Sequence, residues 1–398
     1  MGKVVISMIH NRQIPERAVL LPACRVSVIC RAALLAVTYE AVFKESLGAL
    51  EFMLDSSYTI HLLCADDEEI DYERTGTQVR ITALRLFKKI TVSYSKRQGD
   101  NSFRLLPGSI HFPSIAPGLK NNAHLFIESD LSFVTNAEKI CGEYTIKDLS
   151  CLVIADCTAH NERKLNIEIS GRSVAVSKPT LSLFERVDLA GELSLFLDFY
   201  YSLFKRRLEC RIVDIVDLQV NAISCKNLIL VDGCMAAKPL VFLYKYLFHE
   251  IIHQELGLTT VFVGRGRHWL LESFTEYLQL CYLKNRFGED FFDRQLQYYK
   301  HLFEANIAGT DTTIAEFEPH MDEQTFLALI CGKGVLAFNE LFQSKNMDMT
   351  ILKQLIELFD NCGRVVSLDL FIELLEQCTG MELSGFVSEW IGSIDRRE

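Results

Sequence analysis

The sequence predicts an α+β fold: a β-rich domain over residues 1–158, then a mainly helical domain over 159–398. Two observations carry this. Up to about residue 160, apolar residues fall in short β-branched and aromatic runs, separated by Gly, Asp and Asn turn signals. From Lys238 onward, nearly every apolar stretch repeats at helical spacing.

Taken in order, the first apolar segment is "AVLLPACRVSVICRAALLAV" (18–37). Arg25 and Arg31 interrupt it and it begins too late for a signal peptide, so it reads as buried strands or a buried helix. Strand candidates follow in "YTIHLLCADD", "TQVRITALRLFKKITVSYSK", "HLFIESDLSFVT", "LSCLVIADC" and "LNIEISGRSVAVSK". The period then changes. "LSLFERVDLAGELSLFLDFYYSLFKRR" (181–207) is helical, and "CRIVDIVDL" and "KNLILVDG" are short strands. Helices are expected over 238–256, 266–286, 289–305, 323–344, 349–361 and 366–378, with a last piece in "LSGFVSEWIG".

The charge balance narrows the partners. With 41 basic and 52 acidic residues the net charge is −11, and no basic cluster stands out, which argues against nucleic acid or an anionic membrane as partner. The thirteen cysteines are odd in number, scattered and without a C-x-x-C pair. In a chain of this length they read as free thiols in a reducing compartment, hence a cytoplasmic protein.

One helix carries the chemistry. "LFHEIIHQELG" (247–257) puts two histidines and a glutamate among Leu243, Tyr244, Leu247, Phe248, Ile251, Ile252 and Leu256, so the helix is apolar on nearly every side. Such a helix is normally buried, and burying unpaired ionisable groups costs several kcal/mol. A shared metal ion resolves the conflict. His249 and His253 are four apart, on one helix face one turn from each other, so two imidazoles reach one ion. Glu250 stands beside the first of them, placed to take a proton from an activated water. A catalytic zinc needs a third protein ligand, and "HWLLESFTEYLQL" offers Glu272, nineteen residues after His253 on a second helix. Glu276, one turn later, is placed to accept a hydrogen bond from a ligand histidine. The bland alternative, a solvated face with two glutamates and a histidine pair satisfied in the core, leaves the charges on the first helix unexplained.

H-E-x-x-H, eighteen residues and then E resembles the gluzincin zinc peptidases of the aminopeptidase N and leukotriene-A4-hydrolase type. "QELG" is similar to the family's Q-W-F-G at Gln254 and Gly257, and "WLLESF" to its W-L-N-E-G-F at Trp269, Leu270 and Phe274. "CGKGVLAFNELF" and "CTGMELSGFVSEWI" look like its Y-x-K-G helix and its closing segment. The resemblance implies a thermolysin-like catalytic domain and one Zn2+ per chain. It assigns His249, His253 and Glu272 as ligands and Glu250 as general base.

Departures from the family bear on specificity. Its G-x-M-E-N loop, whose glutamate holds the substrate's free amine, corresponds to "GCMAA": Gly233 and Met235 remain, and Ala236 and Ala237 replace the acid and the amide. Cys331 stands where the family has its oxyanion-stabilising tyrosine, and the sequence closes soon after Trp390, which implies a short, diverged member lacking the C-terminal helical domain. Further candidates near the site are Arg265 and Arg267, as a grip on a substrate carboxylate, though a solvated turn is the better reading. His268 competes with Glu272 as third ligand. His320 is a possible oxyanion donor, with a surface histidine as the plainer reading. The expectation is a zinc hydrolase acting on a peptide or amide bond, with classical aminopeptidase activity in doubt. A zinc enzyme for a small non-peptide substrate and a non-catalytic, zinc-stabilised interaction protein stay open.

Overall fold

In the computed structural model the described residues are 23–31, 34–97, 104–106, 110–114, 122–130, 133–156, 163–169, 172–178, 189–206, 208, 210–215, 218, 220–319, 321–344 and 349–393. The chain divides into two compact units that part between Arg163 and Lys164. The first is built of strands and the second mainly of helices, an α+β protein.

The strands of the first unit are β1 (Ala23–Arg31), β2 (Leu34–Met53), β3 (Thr59–Ala65), β4 (Glu68–Glu69), β5 (Tyr72–Thr75) and β6 (Gln78–Arg97). Next come β7 (Arg104–Leu105), β8 (Ala123–Ser129), β9 (Phe133–Thr135), β10 (Glu138–Ile140), β11 (Glu143–Ile146) and β12 (Ile154–Asp156). The larger sheet runs β10-β11-β8-β1-β2-β6-β3-β4, with β5 also on β6, and a smaller one runs β7-β12-β9. Alternation decides which face is buried. Leu35, Val37, Tyr39 and Ala41 of β2 all point to the core, as do Ile90, Val92 and Tyr94 of β6, which pair with them in antiparallel register. Leu105 and Ile154 bring the smaller sheet into the same core. The segment 18–37 resolves into β1 and the start of β2 where it is described, so the strand alternative holds there.

The second unit opens on a five-stranded sheet of β13 (Arg163–Ile169), β14 (Arg172–Lys178), β15 (Arg211–Ile215), β16 (Ala222–Cys225) and β17 (Leu228–Asp232). Its order is β13-β14-β15-β17-β16. The pairs β14/β15 and β15/β17 are parallel, and β16 is antiparallel at the edge. The helices are α1 (Leu189–Phe204), α2 (Leu240–Ile252), α3 (Phe274–Phe287), α4 (Glu289–Asn306), α5 (Gly334–Ser344), α6 (Met349–Asn361) and α7 (Leu368–Thr379). Residues 181–188 of the expected first helix lie outside the described residues.

Two differences from the sequence reading have physical causes. Residues 261–263, where no strand was expected, form β18 (Val261–Val263), parallel to β19 (Val365–Ser367), which takes the start of the expected helix 366–378. The pairing is with a distant segment, invisible to local periodicity. The helices expected over 266–286 and 323–344 each contain a wide, π-type turn, Trp269–Ser273 and Leu327–Lys333. The stretch Glu323–Gln343 is the one helix among the described residues long and apolar enough to span a bilayer, and 72% of its apolar window is buried inside the fold.

Candidate metal centre

Helix α2 is held from three sides. Phe248 stacks on Phe196 of α1 with ring centroids 4.1 Å apart and meets Tyr282 of α3 edge-on at 5.1 Å. On the sheet side, the Gln254 amide donates to Ser224 Oγ (2.5 Å) and to Cys225 O (3.0 Å), and accepts from the Asn227 backbone (3.0 Å). Ser224 in turn donates to the Glu250 carbonyl at 3.0 Å. Gly257, at φ +105°, turns the chain away after the helix, a conformation that favours glycine.

Glu272 comes from the wide turn Trp269–Ser273 that precedes α3. Such a turn leaves local carbonyl groups short of their usual partners, and such turns recur at functional sites. Here two wide turns serve each other. Ser273 Oγ donates to Ile330 O in the second wide turn at 2.7 Å, and Trp269 Nε1 donates to Gly334 O at 3.0 Å. The Trp269 ring stacks on Phe338 at 4.3 Å, fixing the backbone from which Glu272 projects.

The three side chains meet. His249 Nε2 and His253 Nε2 are 2.9 Å apart, and Glu272 Oε2 lies 3.4 Å from each. Among the described residues these three form the group of His, Cys, Asp and Glu side chains able to hold a metal ion. The opposite ring nitrogens settle the tautomers. His249 Nδ1 faces Glu276 Oε2 at 2.9 Å and His253 Nδ1 faces Leu256 O at 3.0 Å. A carboxylate and a carbonyl only accept, so both Nδ1 atoms donate and each neutral ring turns its Nε2 lone pair inward. Two imidazole lone pairs and a carboxylate oxygen then converge on one point, a repulsive arrangement unless a cation sits among them. Tetrahedral zinc with bonds of about 2.0–2.1 Å sets its ligand atoms about 3.3–3.4 Å apart; the two histidine–glutamate separations match this, the histidine pair at 2.9 Å would open slightly, and the donor set is that of zinc.

In the metal-free site a proton on His249 takes the place of that cation. Burial favours neutral His249, yet its hydrogen bonds to Glu272 and Glu276 and their charges raise its pKa to about 10. Burial also works against the charged form of Glu272, but His253 and His249 hold its carboxyl well below the usual carboxylate range. Glu276 is held well below that range in the same way, by Lys245 and His249 against the effect of burial. Glu250 differs. Burial pushes its pKa up, against the opposing influence of His253 and His249, and its Oε2 is buried with no hydrogen-bond partner.

The remaining candidates divide. Gly233–Ala237 is a tight turn directly after β17, capped by Asp232, whose carboxylate accepts from Cys234 N at 2.7 Å. Met235 is buried and Gly233 half-buried. Cys331 lies in the second wide turn, where burial and the charges of Glu276 and Glu272 keep its thiol protonated. Arg265 is exposed and 3.8 Å from Glu316, the solvated arrangement, while Arg267 pairs with Glu318. His268 is buried edge-on against Phe317 at 5.8 Å and lies outside the ligand cluster. His320 falls outside the described residues. Sequence reasoning passed over Lys245 and Tyr299. Lys245 Nζ lies 2.8 Å from Glu276 Oε1, and Tyr299 of α4 donates to the same oxygen. Lys245 was readable as the residue one turn before His249, whereas nothing in the sequence marks Tyr299.

No protein-family model matches the sequence, and no curated protein matches it. Solved structures do match in fold. A mutant M1 zinc metallopeptidase from Deinococcus radiodurans, bound to a Tyr-Ser-Ala substrate, superposes with a TM-score of 0.66 at 13% identity over 93% of both chains. Leukotriene A4 hydrolase from Saccharomyces cerevisiae gives 0.66 at 13% identity, over 97% of this chain and 72% of that one. An aminopeptidase N family protein from Idiomarina loihiensis gives 0.69 at 12% identity, over 94% of this chain and 76% of that one. The chain has the fold of the M1 zinc metallopeptidases.

Proposed function

We propose that this chain is a zinc-dependent hydrolase, a diverged M1-type enzyme that cleaves a peptide or other amide bond. The observation that carries the reading is the convergence of His249 Nε2, His253 Nε2 and Glu272 Oε2 with both tautomers fixed from behind, beside the unpartnered buried oxygen of Glu250. The fold shared with zinc peptidases supports it.

His249, His253 and Glu272 would hold the ion. When bound, zinc acidifies a water toward a pKa of ~7 and polarises the carbonyl under attack. Glu250 removes the proton from the attacking water and passes it to the leaving group. Its burial suits the first half of that task, because a carboxylate with a raised pKa takes up a proton more readily. The acidic net charge of −11 supports a peptide or small-molecule substrate over nucleic acid or an anionic membrane, and the odd number and scattered spacing of the thirteen cysteines support a cytoplasmic setting.

The substitutions favour a substrate held by something other than its amino terminus. Residues 236 and 237 are alanines, so that loop offers no carboxylate for a free amine. A diverged enzyme acting on a blocked peptide or a small non-peptide amide fits this better than a general aminopeptidase.

Metal analysis of folded protein, first stripped by chelator and then reconstituted, should find about one zinc per chain, lost in His253→Ala. Glu250→Gln should keep the zinc and lose roughly 10²–10⁴-fold in turnover on any verified substrate. A wild-type chain that takes up no zinc on reconstitution ends the reading.

A further inference from the structure

Behind His249, the carboxylate that fixes its tautomer makes further contacts that the zinc reading does not use. Glu276 accepts from His249 Nδ1 on Oε2 at 2.9 Å. Its other oxygen, Oε1, accepts from Lys245 Nζ at 2.8 Å and from the Tyr299 hydroxyl. Lys245 Nζ also donates to the Tyr299 oxygen at 2.6 Å and sits 4.6 Å from the centre of its ring. The three residues come from α2, α3 and α4.

We propose that Lys245 and Tyr299 are positioning residues that set the metal affinity of His249 by fixing the Glu276 carboxylate behind it. The inference rests on the reading of His249, His253 and Glu272 as ligands. With donors on both oxygens, the Glu276 carboxylate cannot rotate without breaking hydrogen bonds, so the imidazole it holds is fixed in plane and tautomer. Lys245 adds a balance of charge. Glu250, Glu272 and Glu276 crowd one buried region, and an ammonium between α2 and α4 offsets part of their repulsion. A lysine at this place is costly to bury, at 14% side-chain exposure, and a structural filler there would more naturally be apolar.

The test is zinc affinity, measured on the full chain by chelator competition, for Tyr299→Phe and Lys245→Met. Tyr299→Phe removes one hydroxyl and no charge, so it stays informative if the lysine variant folds poorly. Removing partners that orient a ligand typically weakens metal binding by about 10–100-fold, and a loss in that range is expected for both variants. Two further readouts separate positioning from packing. The visible absorption of the Co2+-substituted protein should shift in both variants. The rise in thermal midpoint on adding Zn2+ to the chelated protein should shrink, whereas a packing defect lowers the chelated and loaded midpoints equally. Wild-type zinc affinity with an unchanged Co2+ spectrum in Tyr299→Phe and Lys245→Met overturns the proposal while the ligand reading stands. A wild-type chain that binds neither metal overturns both.

Discussion

Ser273 occupies the space that a β-carbon on Gly334 would need: its Oγ and Cβ are the nearest side-chain atoms to that position, with Leu329 O close by at 2.9 Å. Two wide turns approach backbone to side chain here, and the glycine is what allows it. Gly334→Ala should therefore destabilise the helical unit by about 1–3 kcal/mol, the usual cost of overpacking. Ser273→Gly also costs stability, since Ile330 O then loses its donor. The double variant should be less destabilised than the sum of the two, because the alanine methyl fills the space the hydroxymethyl leaves. Urea denaturation of the four proteins measures the coupling, and strict additivity would show that the contact is not limiting.

The turn at Gly233–Ala237 bears on substrate choice. A charge-assisted hydrogen bond to a substrate amine is worth ~1.5–3 kcal/mol, and one oxyanion donor ~2.7–4 kcal/mol of barrier. With Ala236 and Cys331 at the positions where the resembling family has its acid and its tyrosine, simple aminoacyl reporter amides should be poor substrates. Zinc-loaded protein should also show little preference for a free-amine reporter over its N-acetylated form. Turnover of free-amine reporters at an ordinary ~10 s⁻¹, with strong discrimination against the acetylated form, would show that another group holds the amine.

Acid should loosen the β unit through His111. Its Nδ1 shares a hydrogen bond with the Tyr58 hydroxyl at 2.8 Å, and burial together with Lys96 lowers its pKa to about 4, against a raising influence from Asp55. The unfolded chain, at its ordinary value of ~6.5, binds the proton first. The contribution of His111 is therefore complete above pH ~6.5 and is lost as pH falls toward 4, on the order of 3 kcal/mol over the window. Hydrogen exchange in peptides from β3 and β6 should accelerate between pH 7 and pH 5, after correction for intrinsic rates. That acceleration should be much reduced in His111→Asn, and an equal acceleration in the variant would assign the acid sensitivity elsewhere.

The parts of the fold that follow local periodicity were legible in the sequence. The change from strands to helices and the placement of His249 in α2 with His253 one turn on, at its C-terminal cap, need only the 2.0 and 3.6 periods. What local spacing could not supply are the features made between segments. The wide turn that presents Glu272 has an ordinary helical sequence, and its partner turn lies almost sixty residues on. Tyr299 reaches Glu276 from a third helix, and its sequence context, "QYYKH", is that of any amphipathic helix. Local pattern names the candidate ligands, while tertiary contacts decide how firmly those side chains are held.

The parallel pair β18/β19 has a consequence for synthesis. The segment joining α2 to the wide turn Trp269–Ser273 is completed by residues 365–367, about a hundred residues later in the chain. Arg364, just ahead of that strand, closes the join by donating to Glu255 at 2.9 Å and to Thr260 at 3.0 Å. A ribosome adding ~5–20 residues per second therefore exposes the whole zinc motif for roughly 5–20 s before its bracing strand emerges. During that interval the histidines and glutamates are present but their connecting segment lacks its partner. Correct metal loading should accordingly favour the finished chain over the nascent one.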